Sequence, residues 1–216
     1  PREGAYPYLW LDAKYLKVRD QGAVYSKALM VAYSVHESGR REVIAIDVAE
    51  SETKEGWSRF LRALVARGLS GVRICVSDDH LGLKAAVERV LGCPWQRCTV
   101  HFIRAMHAHA KSSQRGMVGA ALREIFNAEG LADAKERVGI VLERLSPTVP
   151  KVAELLEEAE EDLIAFYRFP QPHWPKLRST NTIERVNKEI KRRTNVVGVF
   201  PNDASVIRLV GAVLAE

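Results

Sequence analysis

The order in which strand and helix patterns follow one another is the feature that most restricts the fold of this chain. Three segments with strand patterns come first, at residues 8–14, 27–36 and 42–48, and a turn separates the second from the third. A helix pattern at 57–65, ended by Gly68, leads to a strand at 72–77, a helix at 81–91 and a strand at 95–100. Three antiparallel strands that continue into a crossover helix predict an α/β fold, with a mixed five-stranded sheet flanked by helices.

The rest of the chain carries helical periodicity almost throughout. It runs from about His101 to Tyr167, with interruptions at Pro147, Pro150 and Pro170, and two more helix patterns cover 179–194 and 204–214. We therefore predict an all-helical insertion at 104–170, ahead of the helix at 179–194. The two flanking parts, 1–103 and 171–216, would together form one α/β core.

Composition excludes several classes of protein. Three cysteines, an odd and sparse set, argue against a secreted disulfide framework and favour a reducing compartment. We find no signal peptide and no apolar run of membrane-spanning length. The net charge of +5 weakly indicates a polyanionic partner, and the basic excess is concentrated at 185–193. Because the chain begins with Pro1 and stops at Glu216 within a helical pattern, we expect it to be part of a longer protein.

A carboxylate interrupts the first strand pattern. Asp12 directly follows the apolar run Tyr8-Leu9-Trp10-Leu11. A carboxylate within a central strand is unfavourable unless it is paired or bound to a metal ion. Asp12 is therefore either a functional carboxylate or a residue of an edge strand that faces water.

Two more aspartates follow the strand at 72–77. Asp78 and Asp79 stand where ligands usually bind in α/β sheets, at the carboxyl end of a strand. Either of them is equally suited to cap the helix at 81–91. Asp47, within the third strand, is a competing acidic candidate, and we expect it to be exposed to solvent.

The helix at 179–194 places a glutamate beside an amide and basic side chains. Its predicted buried stripe is Ile183, Val186 and Ile190, and the adjacent face carries Glu184, Asn187, Lys188 and Lys191. Glu184 would suit a metal ligand flanked by phosphate contacts, and the alternative is an exposed ion pair with Lys188. Cleavage of a phosphodiester by two Mg²⁺ ions needs only two or three carboxylates that converge from different elements.

Several sequence blocks together resemble the Mutator-like transposases, in particular their bacterial insertion-sequence branch. The blocks are Leu11-Asp12-Ala13, Ser77-Asp78-Asp79-His80-Leu81-Gly82-Leu83, Trp95-Gln96-Arg97-Cys98-Thr99-Val100-His101-Phe102 and Thr180-Asn181-Thr182-Ile183-Glu184-Arg185-Val186-Asn187, continued by Arg192-Arg193-Thr194 and Phe200-Pro201-Asn202. They occur in the family's order over almost the whole chain.

The resemblance implies a ribonuclease-H-like catalytic core with a triad of two aspartates and a glutamate. The triad falls on Asp12, Asp78 and Glu184, which would be both the catalytic residues and the ligands of two Mg²⁺ or Mn²⁺ ions. Position 79 is usually small in this family, so Asp79 competes with Asp78 as the second ligand. The implied function is that of a DNA transposase, which cleaves DNA strands at an insertion sequence and transfers the 3′-hydroxyl end.

Three further residues match family motifs near the triad. Cys98 and His101 correspond to a Cys-x-x-His pair, which we interpret as a packing or site-shaping motif because no convincing second half of a zinc site is present. His80 is expected to contact a DNA phosphate or to support Asp78, and the alternative is a local hydrogen bond in its loop.

The resemblance also implies contacts with DNA. Phosphate contacts are expected from Lys188, Lys191, Arg192 and Arg193, and the alternative is a solvated basic face. Trp174 either stacks on an unpaired base or belongs to the core. The expected partners are transposon ends and target DNA, bound by a homodimer or larger complex in the bacterial cytoplasm, near the nucleoid. Two rival functions are a nuclease of the same fold without strand transfer and a domesticated, non-catalytic DNA-binding protein.

Overall fold

A computed structural model describes residues 4–215 of the chain. Pro1 and Glu216, on which the expectation of a longer protein depends, lie outside the described residues. The chain divides into two compact units, residues 1–94 with 181–216 and residues 95–180. The helical insertion predicted at 104–170 lies within the second unit.

A mixed β-sheet forms the centre of the first unit. Its strands are β1 (Tyr8–Asp20), β2 (Ala23–Val35), β3 (Arg41–Ala49), β4 (Ile74–Ser77) and β6 (Val199–Phe200). They are arranged in the order β3-β2-β1-β4, and β6 also pairs with β1. The pairs β1–β2 and β2–β3 are antiparallel, whereas β4 and β6 run parallel to β1. This confirms the mixed α/β fold that the element order predicts.

The first hairpin is longer than its apolar pattern predicts. β1 and β2 pair without interruption from Tyr8 and Val35 to Asp20 and Ala23. The connection consists of Gln21 and Gly22, which adopt positive φ angles of 46° and 84°. Two-residue hairpin loops favour this left-handed backbone because its twist matches that of the strands. The outer halves of both strands are largely exposed, so they carry little of the alternation from which strands are predicted.

Four helices complete the first unit: α1 (Lys54–Ala66), α2 (Leu81–Leu91), α8 (Asn181–Val197) and α9 (Asp203–Ala215). Thr53 begins α1, because its hydroxyl accepts a hydrogen bond from the amide of Gly56 at 3.0 Å. Gly92 ends α2 in the left-handed conformation, with φ of 60°. Trp57, Phe60, Leu61 and Leu64 form the buried side of α1, as their spacing predicts.

A buried lysine joins the far ends of the sheet to α9. The side chain of Lys27 is only 2% exposed, and its ammonium lies 2.8 Å from Asp20, 2.8 Å from Glu50 and 3.1 Å from Asp203. Hydrogen bonds to Asp20 and Glu50, followed by the one to Asp203, raise the pKa of Lys27 above its ordinary value. One cation therefore compensates three carboxylates that belong to, or directly adjoin, β1, β3 and α9.

Replacement of Lys27 by Met is expected to destabilise the protein by about 2 kcal/mol, which lowers Tm by about 4–8 °C. The loss arises because three neighbouring carboxylates would repel one another without their counter-ion. It stays moderate because the carboxylates are 43–74% exposed and remain partly hydrated. Thermal unfolding followed by circular dichroism measures the change, with Lys17→Met, at an exposed position of the same hairpin, as the matched control. Equal Tm values for the two variants would show that the cluster contributes nothing.

The second unit is mostly helical, as the periodicity predicts. Strand β5 (Trp95–Arg97) is followed by α3 (Thr99–Met106), α4 (Arg115–Phe126), α5 (Leu131–Leu145), α6 (Pro150–Ile164) and α7 (Trp174–Leu177). Its core contains Val118, Leu122, Ile125, Val138, Val141, Leu145, Val152, Leu156, Leu163 and Phe166. Every helix within residues 4–215 is too short or too polar to span a bilayer.

Two details of the predicted elements are wrong. The strand predicted at 95–100 ends at Arg97, and Thr99 and Val100 begin α3 instead. The two-residue strand β6 is too short to produce an alternating pattern, so the described chain has six strands where the sequence predicts five.

Candidate active site

The two predicted aspartates of the triad lie near each other in the first unit. In the parallel pairing of β1 with β4, Tyr8 is opposite Ile74 and Trp10 is opposite Val76. Asp12 follows this paired segment of β1 by two residues, and Asp78 directly follows β4. The charge of Asp78 raises the pKa of Asp12, so the two carboxylates lie near each other although 65 residues separate them in the sequence.

The environment of Asp12 disfavours its charged form. Burial and, second to it, the charge of nearby Asp78 raise the pKa of Asp12 to about 6, against the lowering effects of Lys14 and of hydrogen bonds from Ala13 and Asn187. Two carboxylates that share one site repel each other, and a divalent cation between them would offset both burial and repulsion. Asp79, the competitor of Asp78, is exposed, whereas Asp78 is half-buried.

Helix α8 lies against β1 at Asp12. The side-chain amide of Asn187 donates a hydrogen bond to the carboxylate of Asp12. The ammonium of Lys14 donates to the backbone carbonyl of Asn187 at 2.7 Å. Because Asp12 and Lys14 are two residues apart in a strand, they face the same side of the sheet. One residue of α8 is therefore held by two residues of β1.

Glu184 lies one helical turn before Asn187 on α8. Its side chain is 58% exposed, and its carboxylate is 3.9 Å from the ammonium of Lys188, so the ion pair predicted as the alternative is present. The charges of both Asp12 and Glu184 act on Lys14 and oppose the lowering of its pKa, of which burial is the largest cause. Asp12, Lys14 and Glu184 thus belong to one electrostatic cluster.

The buried stripe of α8 differs from its prediction. It consists of Ile183, Asn187, Ile190 and Thr194, and Val186 is only half-buried. Asn187 is 7% exposed in spite of its polarity, and its side-chain NH2 group and backbone carbonyl bind Asp12 and Lys14. The sequence pattern assigns Asn187 to the polar face, because a partner from β1 is not visible in the sequence of the helix.

A fourth carboxylate near the aspartates was not predicted from the sequence. Glu52 directly precedes the cap of α1 and is half-buried. Burial is the largest cause of its raised pKa, the charge of Asp78 raises the pKa further, and His80 lowers it. Gly82 lets these segments approach, since a Cβ atom there would lie 2.9 Å from the backbone nitrogen of Lys54 and 3.0 Å from the ring of His80.

His80 has a structural role at the start of α2. Its Nδ1 atom accepts a hydrogen bond from the amide of Leu83 at 3.0 Å and caps the helix. This is the local hydrogen bond that the sequence leaves open as the alternative to a phosphate contact.

The predicted phosphate-binding residues differ in their surroundings. Arg192 and Arg193 both bind Glu189, at 2.7 Å and 3.0 Å, and these bonds, led by the one from Arg192, lower the pKa of Glu189 to about 2. Lys188 and Lys191 are exposed, and Lys188 faces Glu184. The basic face of α8 therefore carries acidic partners of its own.

In the second unit, the predicted Cys-x-x-His pair surrounds one threonine. Thr180 lies 3.4 Å from the thiol of Cys98 through both its amide nitrogen and its hydroxyl, and its hydroxyl lies 3.4 Å from Nδ1 of His101. Burial alone would raise the pKa of Cys98, but hydrogen bonds with His101 and Thr180 outweigh it and lower the pKa. This arrangement fixes the residue that directly precedes α8 in the sequence.

Trp174, also in the second unit, is engaged within its own neighbourhood. Its indole nitrogen donates to the carbonyl of Phe169 at 2.7 Å. Its ring meets the rings of Tyr167 and Phe166 edge-on, with centroids 4.7 and 6.1 Å away. Trp174 is half-buried, and these contacts pack its ring against two other aromatic rings of the second unit.

The first unit thus belongs to a broad class of mixed α/β proteins that carry neighbouring carboxylates, here Asp12 within β1 and Asp78 directly after β4, a donor set suited to hard divalent cations. Comparison with known proteins identifies the family. The family described as "Transposase, Mutator family" matches residues 1–216, and the chain belongs to it.

Curated relatives of the chain are transposases of insertion sequences. The transposase for insertion sequence element IS406 of Burkholderia multivorans is 43% identical over 215 residues, which cover 99% of this chain and 55% of the relative. The transposase for IS1081 of Mycobacterium tuberculosis is 42% identical over 214 residues, which cover 99% of this chain and 52% of the relative. The chain therefore spans about half the length of the curated relatives it matches.

A solved structure supports the fold. The chain resembles the Drosophila P element transposase strand transfer complex with a TM-score of 0.56 at 12% identity, over 97% of this chain and 76% of that chain. At this identity the likeness concerns the fold alone.

Proposed function

We propose that this chain is the catalytic domain of an insertion-sequence transposase with a ribonuclease-H-like core, and that it cuts DNA strands and joins the 3′-hydroxyl end to target DNA. The observation that carries the proposal is the closeness of Asp12 and Asp78, which follow the paired segments of the parallel strands β1 and β4 and act on each other electrostatically. Helix α8, which carries Glu184, lies against β1 at the same point. Membership of the transposase family supports the reaction.

In this proposal Asp12, Asp78 and Glu184 hold two Mg²⁺ or Mn²⁺ ions. When bound, such ions stabilise negative charge on the attacking and leaving oxygens of a phosphodiester. Asp12 supports this assignment, because a carboxyl with a pKa of about 6 is ionised at neutral pH and still carries an uncompensated cost of burial. The exposed position of Glu184 leaves its carboxylate accessible to incoming DNA.

The basic face of α8 would position the DNA. Lys188 and Lys191 lie one and two turns after Glu184, where their ammonium groups can bind phosphates near the site. Arg192 and Arg193 would exchange Glu189 for a phosphate, a replacement of one charge-assisted hydrogen bond by another. Because transposition pairs two DNA ends, the active assembly would contain at least two copies of the chain.

A strand-transfer assay tests the proposed function. The full-length protein is incubated with supercoiled target plasmid and with duplex oligonucleotides that carry the 3′-hydroxyl ends of the element encoding it, in Mg²⁺ or Mn²⁺. We expect joined products, which depend on the divalent ion.

The other outcomes separate the rival functions. Nicked plasmid without joined products would indicate a nuclease of the same fold. DNA that is bound but neither cut nor joined, in either ion, would indicate a non-catalytic DNA-binding protein. Either result would overturn the proposed function.

A further inference from the structure

Asn187 is a buried polar residue whose contacts the sequence motifs do not explain. It is 7% exposed, and its side-chain amide donates to Asp12. Its side-chain oxygen is also buried and has no hydrogen-bond partner among the described residues. An unsatisfied buried polar atom costs free energy, so an apolar residue in this stripe would be more favourable for folding alone. A requirement other than stability must therefore favour an asparagine at this position.

Lys14 is a second residue whose contacts the sequence motifs do not explain. It is half-buried on β1, and its ammonium binds the backbone carbonyl of Asn187 at 2.7 Å. An ordinary surface lysine would keep its ammonium in water, whereas this one hydrogen-bonds to a backbone carbonyl. Its hydrogen bond connects a strand to a helix that lies 173 residues away in the sequence.

We infer that Asn187 and Lys14 are positioning residues, which fix the carboxylate of Asp12 and hold the helix of Glu184 against β1. Asn187 keeps one oxygen of Asp12 in a defined direction through its amide. Lys14 anchors the backbone of α8 one turn after Glu184, so it sets how far that carboxylate stands from the sheet. The inference rests on the proposed function, because it assigns the two residues to the same cation site.

The two contacts act on different parts of the site. The side-chain amide of Asn187 fixes the orientation of the Asp12 carboxylate, as residues that hydrogen-bond to metal ligands generally do. Lys14 acts on the position of a helix, and its positive charge also replaces part of the charge that a cation would supply. Replacement of Lys14 therefore changes both the position of α8 and the charge near the site. A change in the affinity for a metal ion alone would not separate these two effects. The two residues accordingly need different measurements.

Binding of Mn²⁺, followed by the electron paramagnetic resonance signal of the free ion, tests Asn187 in the full chain. We expect Asn187→Ala to weaken Mn²⁺ binding about tenfold. Asn195→Ala, at an exposed asparagine on the same helix, serves as the matched control and should bind like the wild type. Unchanged Mn²⁺ affinity in Asn187→Ala would overturn the role of this residue.

Hydrogen–deuterium exchange of the metal-free protein tests Lys14. We expect amides of α8 around residues 184–190 to exchange about tenfold faster in Lys14→Met, since a hydrogen bond from a charged group is lost. Lys14→Arg keeps the charge and the donor and should restore most of the protection. Lys17→Met, at an exposed position of the same strand, is the control. Wild-type exchange rates in Lys14→Met would overturn the role of Lys14.

The two measurements also separate this inference from the proposed function. If wild-type protein binds Mn²⁺ no better than Asp12→Asn, the proposed cation site is wrong. If wild type binds Mn²⁺ better than Asp12→Asn while Asn187→Ala binds like wild type, the site stands and the positioning role is wrong.

Discussion

Asp12→Asn is expected to lower metal-dependent strand cleavage on the order of 10³-fold, with little loss of DNA binding. The carboxylate of Asp12 lies near that of Asp78, and an amide in its place removes negative charge that would attract a divalent ion. DNA binding should persist because the basic residues of α8 remain. Initial cleavage rates on a labelled duplex, together with Kd from fluorescence anisotropy, measure the two effects separately.

Paired substitutions identify the second aspartate. Asp78→Asn is expected to match Asp12→Asn, whereas Asp79→Asn, at the exposed neighbouring position, should retain most of the activity. Asp47→Asn is a control for the loss of a carboxylate from the same sheet, because Asp47 lies in β3 and is paired with β2 rather than with β1. Equal losses of cleavage in Asp78→Asn and Asp79→Asn would contradict the choice of Asp78 over Asp79 as the second carboxylate of the site.

Glu184→Gln tests the third member of the proposed triad. The side chain of Glu184 is more exposed than those of Asp12 and Asp78. Its charge acts on Lys14, on which the charge of Asp12 also acts. We expect a comparable loss of cleavage, since the second ion would lack its acidic ligand. Full activity in Glu184→Gln would contradict the triad, and two-aspartate catalysis would then need a different third residue, for which Glu52 is the candidate of the first unit.

The fold could be predicted from the sequence where burial imposes a regular pattern. The helix predicted at 81–91 coincides with α2, because its apolar positions, its capping His80 and its terminal Gly92 all act within a few residues. The outer half of the β1–β2 hairpin does not follow from the sequence because most of its side chains are exposed, apart from Val18 and Lys27. Strand pairing and the turn at Gln21 and Gly22 extend it beyond the apolar pattern. β6 does not follow from the sequence either, because a two-residue strand depends entirely on its partner, β1.

Only part of the candidate site could be predicted from the sequence, because some of its features are local and others depend on contacts between distant residues. Asp12 could be singled out because a carboxylate within an apolar strand is unusual. Its closeness to Asp78 follows only from the parallel pairing of β1 with β4, which the sequence does not specify. The contacts of Asn187 and Lys14 depend on how α8 packs against β1, and the raised pKa of Glu52 depends on the approach of α1 to the Asp78 loop. Such long-range contacts leave no periodic signal.

In the metal-free protein, Asp12→Asn is expected to increase stability near neutral pH by about 3 kcal/mol. The pKa of Asp12 is raised from 3.8 to about 6, so the folded state binds a proton more tightly than the unfolded state. The wild type should therefore lose stability as pH rises from about 4 to about 6, and the loss should be complete above that range. The amide that replaces the carboxylate does not titrate, so the difference between variant and wild type should grow over this interval.

Urea unfolding at pH 4, 5, 6 and 7 in the presence of a chelator measures this difference. Asp47→Asn, at a position without Asp78 beside it, should show no matching change with pH. A wild type that is more stable than Asp12→Asn at pH 7 without metal would contradict the prediction. Addition of Mg²⁺ should then stabilise the wild type and leave Asp12→Asn nearly unchanged, because an ion that binds only the folded state favours it. A carboxylate that weakens the metal-free fold but strengthens the metal-bound one is explained by function and not by stability.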